Sequence, residues 1–157
     1  MQRDIWELAY NELEILWYFL PKVFVATICG FIIGYDREVR NKVAGIRTNV
    51  LITVGCAILT TASIWLSKEG DSDPSRILGQ IVTGIGFLGG GVIMKTEDKI
   101  IGVTTAAFIW VASAIGIMCG LGIYIIPILI TIGLLIVSSF FERIEKRMKS
   151  NRENKKS

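Results

Sequence analysis

The chain contains no histidine, and its three cysteines, Cys29, Cys56 and Cys119, lie far apart in apolar text. The first absence removes the commonest general base and the commonest metal ligand. The second leaves no C-x-x-C spacing, so neither a zinc site nor a disulfide framework is signalled. No G-x-S-x-G motif is present either, and hydrolytic catalysis has no support. From residue 100 to residue 141 there is no charged side chain at all, a run of 42 residues. As helix that run is about 63 Å long, twice a hydrocarbon core of about 30 Å. We therefore expect no catalytic residues, no metal and no cofactor.

What the chain does have is apolar text, 52% of it hydrophobic, with a mean hydropathy of +0.54. Uncharged runs at 48–67 and 77–94, and another ahead of Asp36, add to the long one. The reading is an all-α integral membrane bundle of five transmembrane helices. Spans fall at about 21–35, 48–66, 77–94, 100–119 and 123–141. Before them, Asp4, Glu7, Asn11 and Glu14 make one polar stripe among Trp6, Leu13 and Trp17. Residues 1–20 thus read as an amphipathic interfacial helix, ended where Pro21 opens span one. Lys22 is expected to reach outward beside Trp17 and Tyr18. Asp73 and Pro74 suit the start of span three, and Asp71-Ser-Asp73 reads as solvated turn chemistry. Residues 142–157 form a basic tail too polar for a core of its own. Secretory cleavage is not signalled, because the start is acidic.

Lysine and arginine are distributed unevenly between the two sides. Residues 36–47, 95–99 and the tail carry 13 of the 17, against three for the N-terminus, 67–76 and 120–122. Basic residues concentrate on the cytoplasmic side. The N-terminus is expected outside and the C-terminus in the cytoplasm.

Glycine is concentrated in one stretch, Gly79 to Trp110, which holds seven of the chain's 16. Gly79, Thr83, Gly86 and Gly90 share a helical face, and small residues let membrane helices approach closely. Span three, with Gly79, Gly84, Gly86 and Gly90, is thus expected at the centre of the bundle. Ala26, Gly30 and Gly34 make a second small-residue stripe on span one. Gly84-Ile-Gly86-Phe-Leu-Gly89 matches a dinucleotide fingerprint, but lacks the strand before it and the acid some 20 residues on. We read it as packing surface.

Three polar groups remain. Asp36, Arg37 and Glu38 end span one, with Arg40, Lys42 and Arg47 nearby. This is either orientation signal or a functional cluster in which Arg37 and one acid turn into the bundle mouth near Arg47. Thr48, Asn49, Thr53, Gln80, Thr83, Thr104 and Thr105 are neutral polar residues within spans. They are either interhelical hydrogen-bonding groups or the lining of a polar pathway. No carboxylate lies in spans two to five, so an ion relay lacks its usual parts. The seven basic residues of the tail either set topology or hold anionic lipid.

Four ordered motifs now resemble a known family. They are Gly30-Phe-Ile-Ile-Gly34-Tyr-Asp36-Arg37-Glu38, Ala44-Gly45-Ile46-Arg47-Thr48, Gly79-Gln80 through Gly91, and Gly102-Val103-Thr104-Thr105 through Trp110. Over about residues 20–140 the chain resembles the MgtC/SapB family of bacterial inner-membrane proteins. The resemblance implies five transmembrane helices and functional positions at Asp36, Arg37, Glu38, Gly45, Arg47 and Thr48. Thr104 and Thr105 lie in the fourth of these motifs and complete the candidate cluster. It further implies a link to growth under magnesium limitation and survival inside host cells, through modulation of other membrane machinery such as the ATP synthase. Prototype members continue into a soluble cytoplasmic domain. This sequence ends after a 16-residue tail, so a shorter, SapB-like member is expected. The expected partners are the lipid bilayer and another membrane protein, with homo-oligomerisation open and nucleic acid excluded. A transporter or channel for a small solute or cation is the alternative.

Overall fold

The computed structural model describes residues 5–67, 73–97 and 99–154, and the side chains of 12–67, 73–97 and 99–148. Asp4, Asp71 and the last three residues of the tail lie outside them. Five α-helices account for nearly everything: α1 (Ile5–Val39), α2 (Ile46–Ser67), α3 (Pro74–Gly91), α4 (Val103–Gly120) and α5 (Ile125–Asn154). Between α3 and α4, two two-residue strands, β1 (Met94–Lys95) and β2 (Ile100–Ile101), pair antiparallel. The sequence showed only a charged turn there.

Two boundaries differ from expectation. The interfacial helix and span one are a single helix that runs through Pro21. Proline removes one backbone donor and does not by itself end a membrane helix. Likewise α5 carries the basic tail on as helix to Asn154. Segments within α1 (Glu12–Val39), α2, α4 and α5 (Ile125–Met148) are long and apolar enough to cross a membrane. The third span the sequence offered, α3, spends six of its 18 positions on glycine and falls short of that apolarity.

Both ends of α3 are nevertheless tied to the ends of its neighbours. The Ser63 hydroxyl, late in α2, donates to the Pro74 carbonyl at 3.2 Å. At the other end one cavity is lined by Arg37 of α1, Gly91 of α3, Thr104 of α4 and Glu142 of α5. So α1, α3 and α5 run one way, and α2 and α4 the other. Asp73 is the N-cap of α3, accepting from the Ser75 N–H at 2.9 Å, with Pro74 in the first turn. Gly122, at φ +83°, closes the reversal between α4 and α5, where the Ile123 N–H donates to the Met118 carbonyl at 3.1 Å.

The core lies between α1, α2 and α4, where Ala26, Cys29, Ile33, Cys56, Ala57, Ala112, Ile115 and Cys119 are buried. All three cysteines are free. Glycine makes this core tight. A Cβ on Gly30 would stand 2.8 Å from the Val50 Cα and 2.9 Å from the Asn49 carbonyl oxygen, and one on Gly34 would stand 3.0 Å from the Gly45 oxygen. Threonine stitches the same helices, and asparagine holds the turn that leads into α2. Thr53 donates to the Ala26 carbonyl at 2.8 Å, Thr61 to that of Gly120 at 3.2 Å, and Asn49 to Ala44 and Gly45 at 2.9 Å each.

The expectation for span three is overturned. A Cβ on Gly79, Gly84, Gly86 or Gly90 would meet nothing within 4 Å. Only Ile81, Ile85 and Gly89, spaced four apart on one flank, are buried. α3 lies at the periphery, and α2 and α4 hold the centre. Lys22 lies beside Tyr18 as expected but is buried there. It is 5% exposed, with its ammonium 3.6 Å from the Tyr18 ring centroid, so a cation–π contact replaces reaching outward.

Candidate functional site

The end of the bundle where α1 stops and α4 starts gathers most of the chain's unusual polar chemistry. α1 keeps its helical period through Asp36-Arg37-Glu38, so three consecutive charges point three ways. Arg37 continues the face of Gly30, Ile33 and Gly34 and is carried into the bundle, where it is only 2% exposed. Its Nη2 donates to the Thr105 hydroxyl at 3.0 Å, and its guanidinium carbon lies 4.2 Å from the Phe108 ring centroid. Its Nε is buried with no hydrogen-bond partner. Among the described residues no carboxylate forms a salt bridge with it.

Asp36 turns the other way. Its Oδ1 accepts from the Arg40 Nε at 2.8 Å, one helical turn on, while its Oδ2 is buried and unpartnered. Arg40 also pairs with Glu142 of α5 and donates to the Ser139 hydroxyl at 2.7 Å. Lys146 completes the chain of charges at 3.3 Å from Glu142. This network ties the end of α1 to α5.

Glu38 is exposed and belongs to the next helix. Its Oε2 accepts from the Ile46 N–H at 2.9 Å, which places a carboxylate at the positive end of α2. The absence of a side chain on Gly45 makes room, since a Cβ there would stand 3.2 Å from the Glu38 Cδ. Arg47 and Thr48 are exposed and share a shallow depression with Glu38 and Lys42, away from Arg37. The expected pairing of an acid with Arg47 is therefore not formed. Asp36 takes Arg40, its i+4 neighbour, because that partner costs no loop rearrangement. Thr104 is exposed, and Thr105, one residue on, is buried against Arg37.

The cluster thus divides. Arg37 and Thr105 meet in one buried contact, Asp36 joins Arg40 and Glu142, Glu38 caps α2, and Arg47 and Thr48 stand apart. Sequence reasoning named Arg40 only as a neighbour of the cluster and passed over Ser139, Glu142 and Phe108. Only the Asp36–Arg40 spacing was a signal for any of them. Among the described residues, no group of three or more His, Cys, Asp or Glu gathers where it could hold a metal ion.

With this geometry in hand, comparison with known proteins is specific. A model of the MgtC family matches residues 23–147. The chain belongs to the MgtC family. It is 45% identical over 98 residues to Protein MgtC of Brucella abortus (strain 2308), covering 62% of this chain and 40% of that protein. It is 39% identical over 112 residues to Protein MgtC of Salmonella typhimurium (strain LT2), covering 71% and 47%. An uncharacterized protein of Synechocystis is 42% identical over 105 residues, covering 67% and 44%. The chain therefore spans less than half the length of these relatives. No solved structure matches it. The matched region of the family model takes in every candidate site residue, from Gly30 to Thr105, as well as Arg40 and Glu142.

Proposed function

We propose that this MgtC-family chain is a non-enzymatic protein of the bacterial inner membrane that modulates other membrane machinery through helix–helix contacts, in a role linked to magnesium homeostasis. The observation that carries the reading is the open face of α3. Gly79, Gly86 and Gly90 line up with no neighbour within 4 Å. Beside them an apolar groove of about 740 Å³ runs between α2 and α3, lined by Leu51, Gly55, Leu59, Gly84 and Leu88. Inside this chain, the glycines of the core serve close backbone approach. A glycine face of the same kind left uncovered in the bilayer suits a transmembrane helix of another protein. The polar residues within spans favour this reading over transport, because their donors are spent inside the chain: Thr53 on the Ala26 carbonyl of α1, Thr61 on Ala57 and Gly120, and Asn49 on the turn that leads into α2.

In this reading the N-terminus lies outside and the C-terminus in the cytoplasm. Its support is that the loops at 36–47 and 95–99 and the basic end of α5, which together carry 11 of the 17 Lys and Arg, fall at one end of the bundle. Membrane-impermeant thiol labelling of intact cells should modify Arg76→Cys and spare Arg147→Cys, and the reverse pattern overturns the orientation.

The partner is tested by replacing Phe87, 83% exposed on α3, with a photo-crosslinking phenylalanine analogue in cells. A crosslink to a second membrane protein is expected, lost in Gly86→Leu and Gly90→Leu while the chain's melting temperature holds. Adducts only to lipid, or only to a second copy of the chain, refute modulation of other machinery.

A further inference from the structure

Arg37 poses a problem the helix-contact reading does not solve. A buried charge is costly unless paired and hydrogen-bonded, yet among the described residues this guanidinium has one hydroxyl, one ring and no carboxylate in salt-bridge contact, only the more distant charge of Asp36. The neighbouring cation Arg40 is already committed to Asp36 and Glu142.

A second, separate shortage lies against it. α4 begins at Val103 behind Gly102, and that N-cap supplies no side-chain hydrogen bond. Gly102 is held at φ +88°, and a Cβ there would stand 2.9 Å from the Val92 carbonyl carbon, so a side-chain cap at this position is excluded by the fold. The first-turn N–H groups of an 18-residue helix are left without a side-chain acceptor, and the positive end of the helix dipole points out beside Thr104.

Both shortages open on one cavity of about 760 Å³. Arg37, Gly102, Thr104 and Thr105 line it, and so do Val137 and Phe141 of α5, which are half or more exposed on the apolar side. Of the two acids that line it, Glu142 is neutralised by Arg40 and Lys146. An uncapped helix N-terminus, a threonine hydroxyl and a guanidinium short of acceptors form a donor set for a tetrahedral oxyanion.

We propose that this cavity binds a phosphoryl anion, with the phosphate between the α4 N-terminus and Arg37. The exposed apolar wall of Val137 and Phe141 suits the acyl chains of an anionic phospholipid whose headgroup supplies that phosphate. A free phosphate would use the same donors without the wall. The site stands whether or not a partner helix covers α3.

The test is thermal unfolding of the full chain in a neutral detergent, freed of lipid and phosphate. One arm adds inorganic phosphate against chloride at equal ionic strength. The other adds phosphatidylglycerol against diacylglycerol with the same acyl chains. A bound ligand at about ten times its Kd should raise the melting temperature by about 3–6 °C. Arg37→Gln should lose the shift and Arg37→Lys keep part of it. Thr104→Asp places a carboxylate at the helix N-terminus, where it favours folding. It should raise the ligand-free melting temperature and abolish the response, which decides the matter even where Arg37→Gln fails to fold. A shift with phosphatidylglycerol alone assigns the site to lipid. A shift with inorganic phosphate, no larger with lipid, assigns it to a free phosphoryl anion. No shift in either arm, or an undiminished shift in Thr104→Asp, overturns the proposal.

Discussion

Two parts of this bundle use glycine in opposite ways. Between α1 and α2, Gly30 and Gly34 are places where another backbone arrives, and a single added carbon would collide with it. Along α3, Gly79, Gly86 and Gly90 share one helical face, the last two at the same spacing of four, and they meet nothing, nor does Gly84. Small residues permit close approach but do not cause it. In the first case Thr53 reaches across to the Ala26 carbonyl of α1, and Asn49 pins the turn that leads into α2. In the second, Gln80 and Thr83 are exposed, and the Thr83 hydroxyl turns back to the Gly79 carbonyl of its own helix at 2.9 Å. Polar side chains that reach across to another helix mark the glycines that pack at home.

The sharpest way to break that comparison is to fill both stripes. Gly30→Leu should unfold or severely destabilise the chain, since overpacking costs about 1–3 kcal/mol and here the obstacle is backbone, which yields least. Gly86→Leu and Gly90→Leu should leave stability of the purified chain within about 0.5 kcal/mol, as exposed substitutions generally do. Thermal unfolding in detergent of all three, at matched expression, is the measurement. Equal losses for Gly30→Leu and Gly86→Leu would mean that α3 packs as tightly as α1, and the distinction would collapse.

A middle-sized effect tests the polar end of the same contrast. Arg40 joins Asp36, Ser139 and Glu142, so Arg40→Gln should cost about 1.5–3 kcal/mol, the range of a hydrogen bond to a charged group. Much of that is the penalty of leaving the half-buried Asp36 without its partner. Glu142→Gln should cost less, because Arg40 keeps Asp36. In a double-mutant cycle the Arg40–Glu142 coupling should be measurably above zero. Strict additivity would show that α5 is not held through this pair.

These outcomes bear on what was legible in the chain beforehand. The uncharged runs gave the helices, and the lysine and arginine imbalance grouped the loops that share an end. The stripe of Gly30 and Gly34 was read as packing, and the sequence already offered Arg37 as its continuation. The α3 stripe misled because periodicity names a face and not what covers it. Arg37 and Thr105 are separated by 68 positions, and Arg40 and Ser139 by 99. Neither pair has a local signature. The continuity of α1 through Pro21 was hidden for a different reason, since proline reads equally as a helix start and as a tolerated interior residue.

The smallest effect lies at the other end of α3, and it has a sign that can be worked out. Asp73 caps the helix in water, where hydrogen bonds from the Ser75 hydroxyl and the Ser75 N–H hold its carboxyl below the ordinary value of 3.8. Because the folded value is depressed, the carboxylate's contribution is fully present above pH 3.8 and is lost as the pH falls through the lower folded value. α3 has only one buried flank, so its first turn should fray by itself before the core of α1, α2 and α4 responds. Hydrogen exchange at the Ser75 and Arg76 amides, corrected for the intrinsic pH dependence, is the suitable readout. Protection there should decline below pH 3.8 in the native chain and stay level in Asp73→Asn, whose amide caps without titrating. At neutral pH the two chains should differ little, since asparagine and aspartate are nearly equal caps. A decline of the same size in both would place the acid sensitivity of α3 elsewhere, and would remove the N-cap as what holds the loosely packed helix at its start.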